Sequence, residues 1–170
     1  LATATSRPAV SEHAESVELA WVPMSRLSQM DLHPGFAATL PALQLPQLRL
    51  IIDAANVVGS VPDGWWRDRV GATERLLAAL EPRVGQVVTW DGEQHLVSYI
   101  EVVLEGKARA VPDRGLDSLL ILTRAPGAGD DMIAERARNV SAVVVTSDRG
   151  LRDRVARSAS VSHFRKAVEV

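Results

Sequence analysis

Three runs of β-branched and apolar residues in this chain end in an acidic residue beside a turn. They are residues 48–53, 100–106 and 142–148, with acidic residues Asp53, Glu105 and Asp148. A fourth acidic segment, residues 129–131, follows the apolar run 118–123. Short hydrophobic strands separated by helical stretches are typical of βαβ units with a parallel sheet. Because the carboxyl ends of parallel strands share one edge, where ligands bind, these side chains are expected to gather there.

The spacing of the apolar runs predicts a three-layer α/β/α fold with a mostly parallel sheet. The predicted strands cover residues 48–54, 86–90, 98–105, 117–124 and 141–146, with a last strand within 160–170. The predicted helices cover residues 65–80, 130–138 and 149–158. The resulting α/β domain is expected to span residues 47–170.

Gathered carboxylates repel one another and raise each other's pKa unless a cation holds them, so a divalent metal site is expected. Each candidate also has a structural alternative. An aspartate at position 130, 131 or 148 can cap a helix. Asn56 can form an Asx turn, and Glu105 can be a solvated strand end. Asp53 is the hardest to explain structurally, because no helix is expected to start after it.

Three separated motifs carry a family resemblance. They are Asp53-Ala54-Ala55-Asn56, Gly129-Asp130-Asp131 and Thr146-Ser147-Asp148, in this order within residues 47–163. Together they resemble the NYN branch of the PIN-like nucleases. The resemblance implies a ribonuclease that hydrolyses RNA phosphodiester bonds with Mg²⁺ or Mn²⁺, an ion that activates water and stabilises the leaving oxygen.

The resemblance also implies roles for single residues. It makes Asp53, Asp130 or Asp131, and Asp148 metal ligands, with Asn56 beside them in the catalytic group. Glu105 takes a strand-end place where this family often carries an acidic residue, and it joins the predicted metal ligands.

Two regions are expected to contact RNA. Trp65 and Trp66 with Arg67 and Arg69 could stack bases and meet phosphates, or the tryptophans could pack against the core and the N-terminal segment. The second region is a basic stretch that begins with Arg149 and Arg152 and could bind phosphates or form a solvated helix face. Its six basic residues are Arg149, Arg152, Arg154, Arg157, Arg165 and Lys166.

Residues 1–46 differ in character from the rest of the chain. A Ser/Thr/Ala-rich tail precedes a predicted strand at 16–23, a helical stretch at 25–30 and a turn at 32–36. One strand and one helix cannot bury their own apolar faces, so this segment is expected to pack on a neighbour or to be partly disordered. Residues 15–23 with 32–36 resemble the C-terminal end of a Nudix hydrolase domain. The chain contains no Nudix box, so it cannot carry out Nudix catalysis by itself.

Composition narrows the function classes. The absence of cysteine excludes disulfides, thiolate zinc sites and cysteine nucleophiles. The net charge of −2 argues against wholesale polyanion binding, and no apolar stretch reaches the ~18 residues of a membrane span. The start of the chain, with neither a signal-like segment nor an initiating Met, predicts a cytoplasmic protein that is a fragment of a longer one.

Two rival functions stay open beside the ribonuclease. The chain could be the C-terminal part of a Nudix NTP pyrophosphohydrolase, or a non-catalytic PIN-like domain that binds RNA or a protein partner. The expected partner is RNA, with no membrane. A homodimer and an upstream Nudix domain in the full-length chain are further options that the sequence leaves open.

Overall fold

The computed structural model describes residues 20–115 and 117–169, and the chain divides into two compact units, Leu1–Leu45 and Pro46–Val170. In the first unit a 3₁₀ helix covers Met24–Gln29, as predicted, and α1 covers Pro34–Leu43. Residues 16–19 of the predicted strand lie outside the described part, and residues 20–23 have no regular structure.

The predicted turn at residues 32–36 is wrong, because α1 begins within it. Nδ1 of His33 accepts a hydrogen bond from the backbone N–H of Gly35, at 3.2 Å, and so caps the first turn. Pro34 at the first helical position has a backbone already fixed for a helix and needs no donor there.

The second unit is built on a six-stranded sheet. Its strands are β1 (Gln47–Asp53), β2 (Val87–Trp90), β3 (Glu93–Leu104), β4 (Leu120–Arg124), β5 (Val143–Val145) and β6 (Ser158–Ala159). β1 lies in the middle, parallel to β3 on one side and to β5 on the other. β4 and β6 extend the parallel sheet, and β2 pairs with β3 in an antiparallel hairpin. The predicted mostly parallel sheet is confirmed.

Helices cover both faces of this sheet. They are α2 (Ala54–Gly59), α3 (Arg69–Leu80), α4 (Gly129–Asn139), α5 (Arg149–Arg152) and α6 (Val161–Val168). Leu50 of β1 packs in one buried cluster with Leu77 of α3 and Phe164 of α6. Ile51, which points to the opposite face, packs with Ile133 of α4 in a second cluster. The result is the expected three-layer α/β/α arrangement.

Beyond the carboxyl end of β1, the starts of two helices differ from the prediction. A helix does start after Asp53, because the Asp53 carboxylate caps the first turn of α2. The expectation that no helix begins there is therefore wrong. The helix predicted from residue 65 begins only at Arg69, where the Asp68 side chain accepts the N–H of Gly71 and fixes the start.

From Arg149 onward, the observed elements differ more from the predicted ones. The helix predicted to run from 149 to 158 stops at Arg152, and β6 occupies Ser158–Ala159. The predicted last strand within 160–170 is α6 instead. Ser160 caps this helix by accepting the N–H of His163, and Val161, Phe164 and Val168 fall on one buried face. Their spacing of three and four residues is helical.

One charged pair lies within the sheet-helix interface. Glu101, in the middle of β3, is fully buried and accepts two hydrogen bonds from the guanidinium of Arg136 on α4, at 2.7 and 3.1 Å. The hydroxyls of Thr123 and Tyr99 also donate to it, at 2.6 and 2.7 Å. The pair therefore ties α4 to the sheet through a fully hydrogen-bonded carboxylate.

No helix in residues 20–115 and 117–169 combines the length and the apolar character that crossing a membrane requires.

Candidate active site

The carboxyl edge of the parallel sheet gathers the predicted acidic residues. Asp53 ends β1, Glu105 follows β3, Asp148 follows β5, and Asp130 lies in the first turn of α4, after β4. Burial is the largest cause that raises the pKa values of Asp53 and Asp130. The charges of Asp130 and Glu105 add to the rise at Asp53, and those of Asp148 and Glu105 add to the rise at Asp130. We call these four residues, Asp53, Glu105, Asp130 and Asp148, the acidic cluster.

Asp53 is the most buried member of the acidic cluster, with 7% of its surface exposed. Its Oδ1 accepts the backbone N–H of Asn56 at 3.0 Å, and its Oδ2 accepts the hydroxyl of Thr146 at 2.8 Å. Burial is the main cause that raises its pKa, the two hydrogen bonds oppose the rise, and the neighbouring carboxylates add to it. Asp53 is therefore a helix cap and also a desolvated carboxylate that neighbouring negative charges repel.

Asn56 and Thr146 connect the ends of β1 and β5. The side-chain oxygen of Asn56 accepts the N–H of Ser147 at 2.8 Å. The Oγ1 of Thr146, which is fully buried, accepts the N–H of Asp148 at 3.1 Å while its own hydroxyl points to Asp53. Asn56 therefore does more than form a local turn. The sequence motifs predict no separate role for Thr146, and its place in the Thr-x-Asp motif is the signal that points to one.

Asp148 caps α5, as its structural alternative predicted. Its Oδ1 accepts the N–H of Leu151 at 2.8 Å. A carboxylate offers about four lone-pair sites, so one capping bond leaves it able to contact a cation as well. Capping and metal binding are therefore compatible at this position.

The start of α4 contributes Asp130 to the acidic cluster and is hydrogen-bonded to Glu105. Oε2 of Glu105 accepts the N–H of Gly129 at 2.7 Å, and a Cβ at position 129 would fall 2.7 Å from that oxygen. Glycine thus allows the close approach, and Glu105 is engaged rather than simply solvated. Burial, followed by the charges of Asp148 and Glu105, raises the pKa of Asp130. Asp131 instead pairs with Arg154 at 2.6 Å.

The prediction that Asp130 or Asp131 caps α4 is wrong. The N-cap is Ala128, which makes no side-chain capping bond, and both aspartates lie in the first turn. There their negative charge interacts favourably with the helix dipole. Glu105, from another strand, supplies an acceptor for the first backbone N–H instead.

The donor set of the acidic cluster suits a hard divalent cation. All four side chains offer carboxylate oxygens, which Mg²⁺ and Mn²⁺ prefer, and a cation would relieve the repulsion that adds to the effect of burial on the pKa values of Asp53 and Asp130. Within the described part of the chain, however, no group of three or more His, Asp or Glu side chains is arranged so that it could hold a metal ion. Metal binding therefore stays a prediction.

The residues expected to contact RNA lie in different surroundings. Trp65 is half-buried with the guanidinium of Arg69 5.1 Å from its ring centroid, whereas Trp66 is 56% exposed and neither belongs to the buried core. Arg67 is exposed in the loop before α3.

The predicted basic stretch is only partly available to a ligand. Arg149 and Arg152 are exposed on α5, next to Asp148. Arg154 is paired with Asp131, and Arg165 donates to the backbone oxygen of Val57 at 3.0 Å. Arg157 and Lys166 are exposed as well, and phosphate binding by this stretch stays a prediction.

Comparison with known proteins gives a likeness at the level of the fold. No family model and no curated protein matches the chain. Among solved structures, the chain is similar to a crystal structure of a point mutant of Rae1 (YacP) from Bacillus subtilis, with a TM-score of 0.50 and 18% identity. The match covers 72% of this chain and 75% of that chain. At this identity the likeness concerns the fold alone.

Proposed function

We propose that the Pro46–Val170 unit is a metal-dependent ribonuclease that hydrolyses RNA phosphodiester bonds. The observation that carries the proposal is the acidic cluster, which brings together carboxylates from three strand ends and one helix start. Burial raises the pKa values of Asp53 and Asp130, and the charges of neighbouring carboxylates add to the rise. The stability of the fold alone does not explain why carboxylates that repel one another lie beside the buried Asp53, whereas a functional site would. The resemblance of its motifs to NYN nucleases and the fold-level likeness to Rae1 (YacP) support the same conclusion.

The acidic cluster would hold Mg²⁺ or Mn²⁺. When bound, such an ion lowers the pKa of a water and stabilises the leaving oxygen of an in-line displacement. The chain's own contribution is to fix the ligands. Thr146 orients Asp53 through its hydroxyl and holds the Asp148 backbone, and Asn56 holds the adjoining N–H of Ser147.

The substrate side of the proposal rests on the charge of α5. Arg149 and Arg152 are exposed directly after Asp148, so a phosphate at the acidic cluster would meet guanidinium groups there. These arginines offset the repulsion between a polyanion and four carboxylates. We therefore assign them to phosphate binding rather than to the chemical step.

A second candidate is a non-catalytic domain that binds RNA or a protein partner. One observation favours it: the described side chains do not already form a metal-holding group of three or more. A nuclease would then require side-chain rearrangement on metal binding, which a binding domain would not need. The alternative of a truncated Nudix pyrophosphohydrolase stays a prediction from residues 1–46.

The deciding experiment measures cleavage of short single- and double-stranded RNA by the purified chain. Cleavage should vanish in chelator and return with Mn²⁺ or Mg²⁺. Asp148→Asn should abolish cleavage while keeping the fold, because asparagine caps a helix about as well as aspartate. Asp68→Asn is the matched control, since it makes the same change at the cap of α3 and should leave cleavage intact.

The result can favour the other candidate. RNA binding measured in chelator should be unaffected by Asp148→Asn, because phosphate contacts and catalysis rest on different residues. A chain that binds Mn²⁺ and RNA yet cleaves neither kind of RNA would overturn the nuclease proposal in favour of the binding domain.

A further inference from the structure

A cavity of about 290 Å³ opens beside the acidic cluster. It lies between the start of α2, the loop before α3 and the segment after β3. Its walls include Ala54, Ala55, Trp65, Arg69, Glu105 and Gly106. The proposed chemistry uses the carboxylate of Glu105 but none of the other walls, so the cavity calls for a separate explanation.

Two residues join the cavity to the acidic cluster. Ala54 directly follows Asp53, and Glu105 lines the cavity while its charge acts on Asp53 and Asp130. A nucleotide whose phosphate lies at the acidic cluster therefore has its base within reach of the cavity.

The walls suit a flat aromatic ring. Trp65 offers an indole, the Arg69 guanidinium lies 5.1 Å from its ring centroid, and Ala54 and Gly106 contribute small residues to the walls. Indole and guanidinium planes are the groups on which unstacked bases stack in proteins. The volume lies just below the ~300–1,000 Å³ range of pockets for drug-sized ligands, as expected for a smaller ligand such as one base.

We propose that this cavity binds one unstacked nucleobase of single-stranded RNA, from the nucleotide at the acidic cluster. The inference rests on the proposed nuclease function for the placement of that phosphate. It makes the protein select single-stranded RNA, because a base paired inside a duplex cannot enter the cavity. Trp65 becomes a specificity-determining residue, and Arg69 supports the face on which the base stacks.

The test is equilibrium binding of single-stranded RNA oligonucleotides in chelator, each with one abasic site at a successive position. The wild-type chain should lose about tenfold in affinity at one position and little elsewhere, the size expected for one stacked base. The penalty should disappear in Trp65→Leu and persist in Trp65→Phe, which keeps an aromatic ring. Trp66→Leu is the matched control, because it makes the same change at the neighbouring residue outside the cavity.

A second variant guards against misfolding of Trp65→Leu. Ala55 is exposed on α2 and lines the cavity, so Ala55→Leu should fill the cavity at little cost in stability. It should also remove the position-specific penalty, with an unchanged thermal melt. Equal penalties at all positions, a penalty that survives both Trp65→Leu and Ala55→Leu, equal affinity for duplex RNA, or no RNA binding would each overturn the proposal.

The failure of this inference differs from the failure of the nuclease proposal. Since binding is measured in chelator, it does not depend on cleavage. A chain that cleaves RNA with Mn²⁺ but shows no position-specific penalty refutes only the base cavity. A chain that shows the penalty but never cleaves refutes only the nuclease.

Discussion

Replacement of Arg136 by methionine should destabilise the protein by about 3 kcal/mol at neutral pH. The change removes both guanidinium hydrogen bonds to Glu101 and leaves a fully buried carboxylate with only the Thr123 and Tyr99 hydroxyls. Breaking a buried ion pair by removing one partner costs ~3–5 kcal/mol. We take the lower end because 34% of the Arg136 side chain is exposed, so water can partly replace it.

The pH dependence of this loss has a definite sign. Burial by itself raises the pKa of Glu101, but the hydrogen bonds from Arg136, Thr123 and Tyr99 outweigh it and hold the pKa below the ordinary 4.5. A carboxylate with a lowered pKa stabilises the fold above its unfolded-state value, and this stability is lost as pH falls through the folded-state pKa. Without Arg136, burial should raise the pKa of Glu101. Protonation then removes the buried charge and restores part of the stability of the variant. The difference between wild type and Arg136→Met should therefore shrink as the solution is acidified.

Urea unfolding from about pH 7 down to about pH 4, in chelator, measures both effects. Arg138→Met is the matched control, since Arg138 is an exposed arginine on the same helix and its loss should change stability by less than ~0.5 kcal/mol. A loss below ~1 kcal/mol for Arg136→Met, or a loss that does not change with pH, would refute the reasoning that the pair holds a buried charge.

Three further predictions concern the edge of the sheet. Asp53→Asn should change the thermal melt in chelator little, because removal of a desolvated and repelled charge offsets the loss of one hydrogen bond: the single amide oxygen can accept the N–H of Asn56 or the hydroxyl of Thr146 but not both. A clear fall would show that the structural role dominates. Thr146→Val should lower stability by about 1.5–3 kcal/mol in urea unfolding through the lost bond to a charged acceptor, whereas Thr146→Ser, which keeps the hydroxyl, should lose less. Joint replacement of Arg149 and Arg152 by alanine should weaken RNA binding and flatten its salt dependence by about 0.7 per lost phosphate contact, and an unchanged slope would contradict that assignment.

The parallel sheet was predictable because its strands are continuous apolar runs bounded by turns. The strand bounds predicted for β1 and β4 overlap the observed ones, and the strand-end carboxylates follow from the fold class. The short helices were harder to predict from the sequence. The six residues of α2 carry no full amphipathic period, and their start depends on the Asp53 cap. In α6, the apolar residues of the segment from 160 onward suggested a strand, while helical spacing places them on one face.

Hydrogen-bond partners from distant parts of the chain could not be predicted from the sequence. Glu101 stands inside an apolar strand, and nothing local indicates that Arg136, 35 residues later, neutralises it. The same holds for Thr146, whose bond to Asp53 joins residues 93 positions apart. Periodicity and motif order report on local structure and on fold class. They carry no direct signal for a single long-range hydrogen bond.

The central position of β1 determines when the site can form during synthesis and folding. Its parallel neighbour β5 is about 90 residues away along the chain, and such distant pairing must overcome a large loop-closure entropy before any contact rewards it. A nascent chain that ends before Thr146 already contains Asp53, Glu105 and Asp130 but lacks the hydroxyl that orients Asp53. Assembly of the acidic cluster is thus a late event, and an unfinished or C-terminally truncated chain cannot complete it.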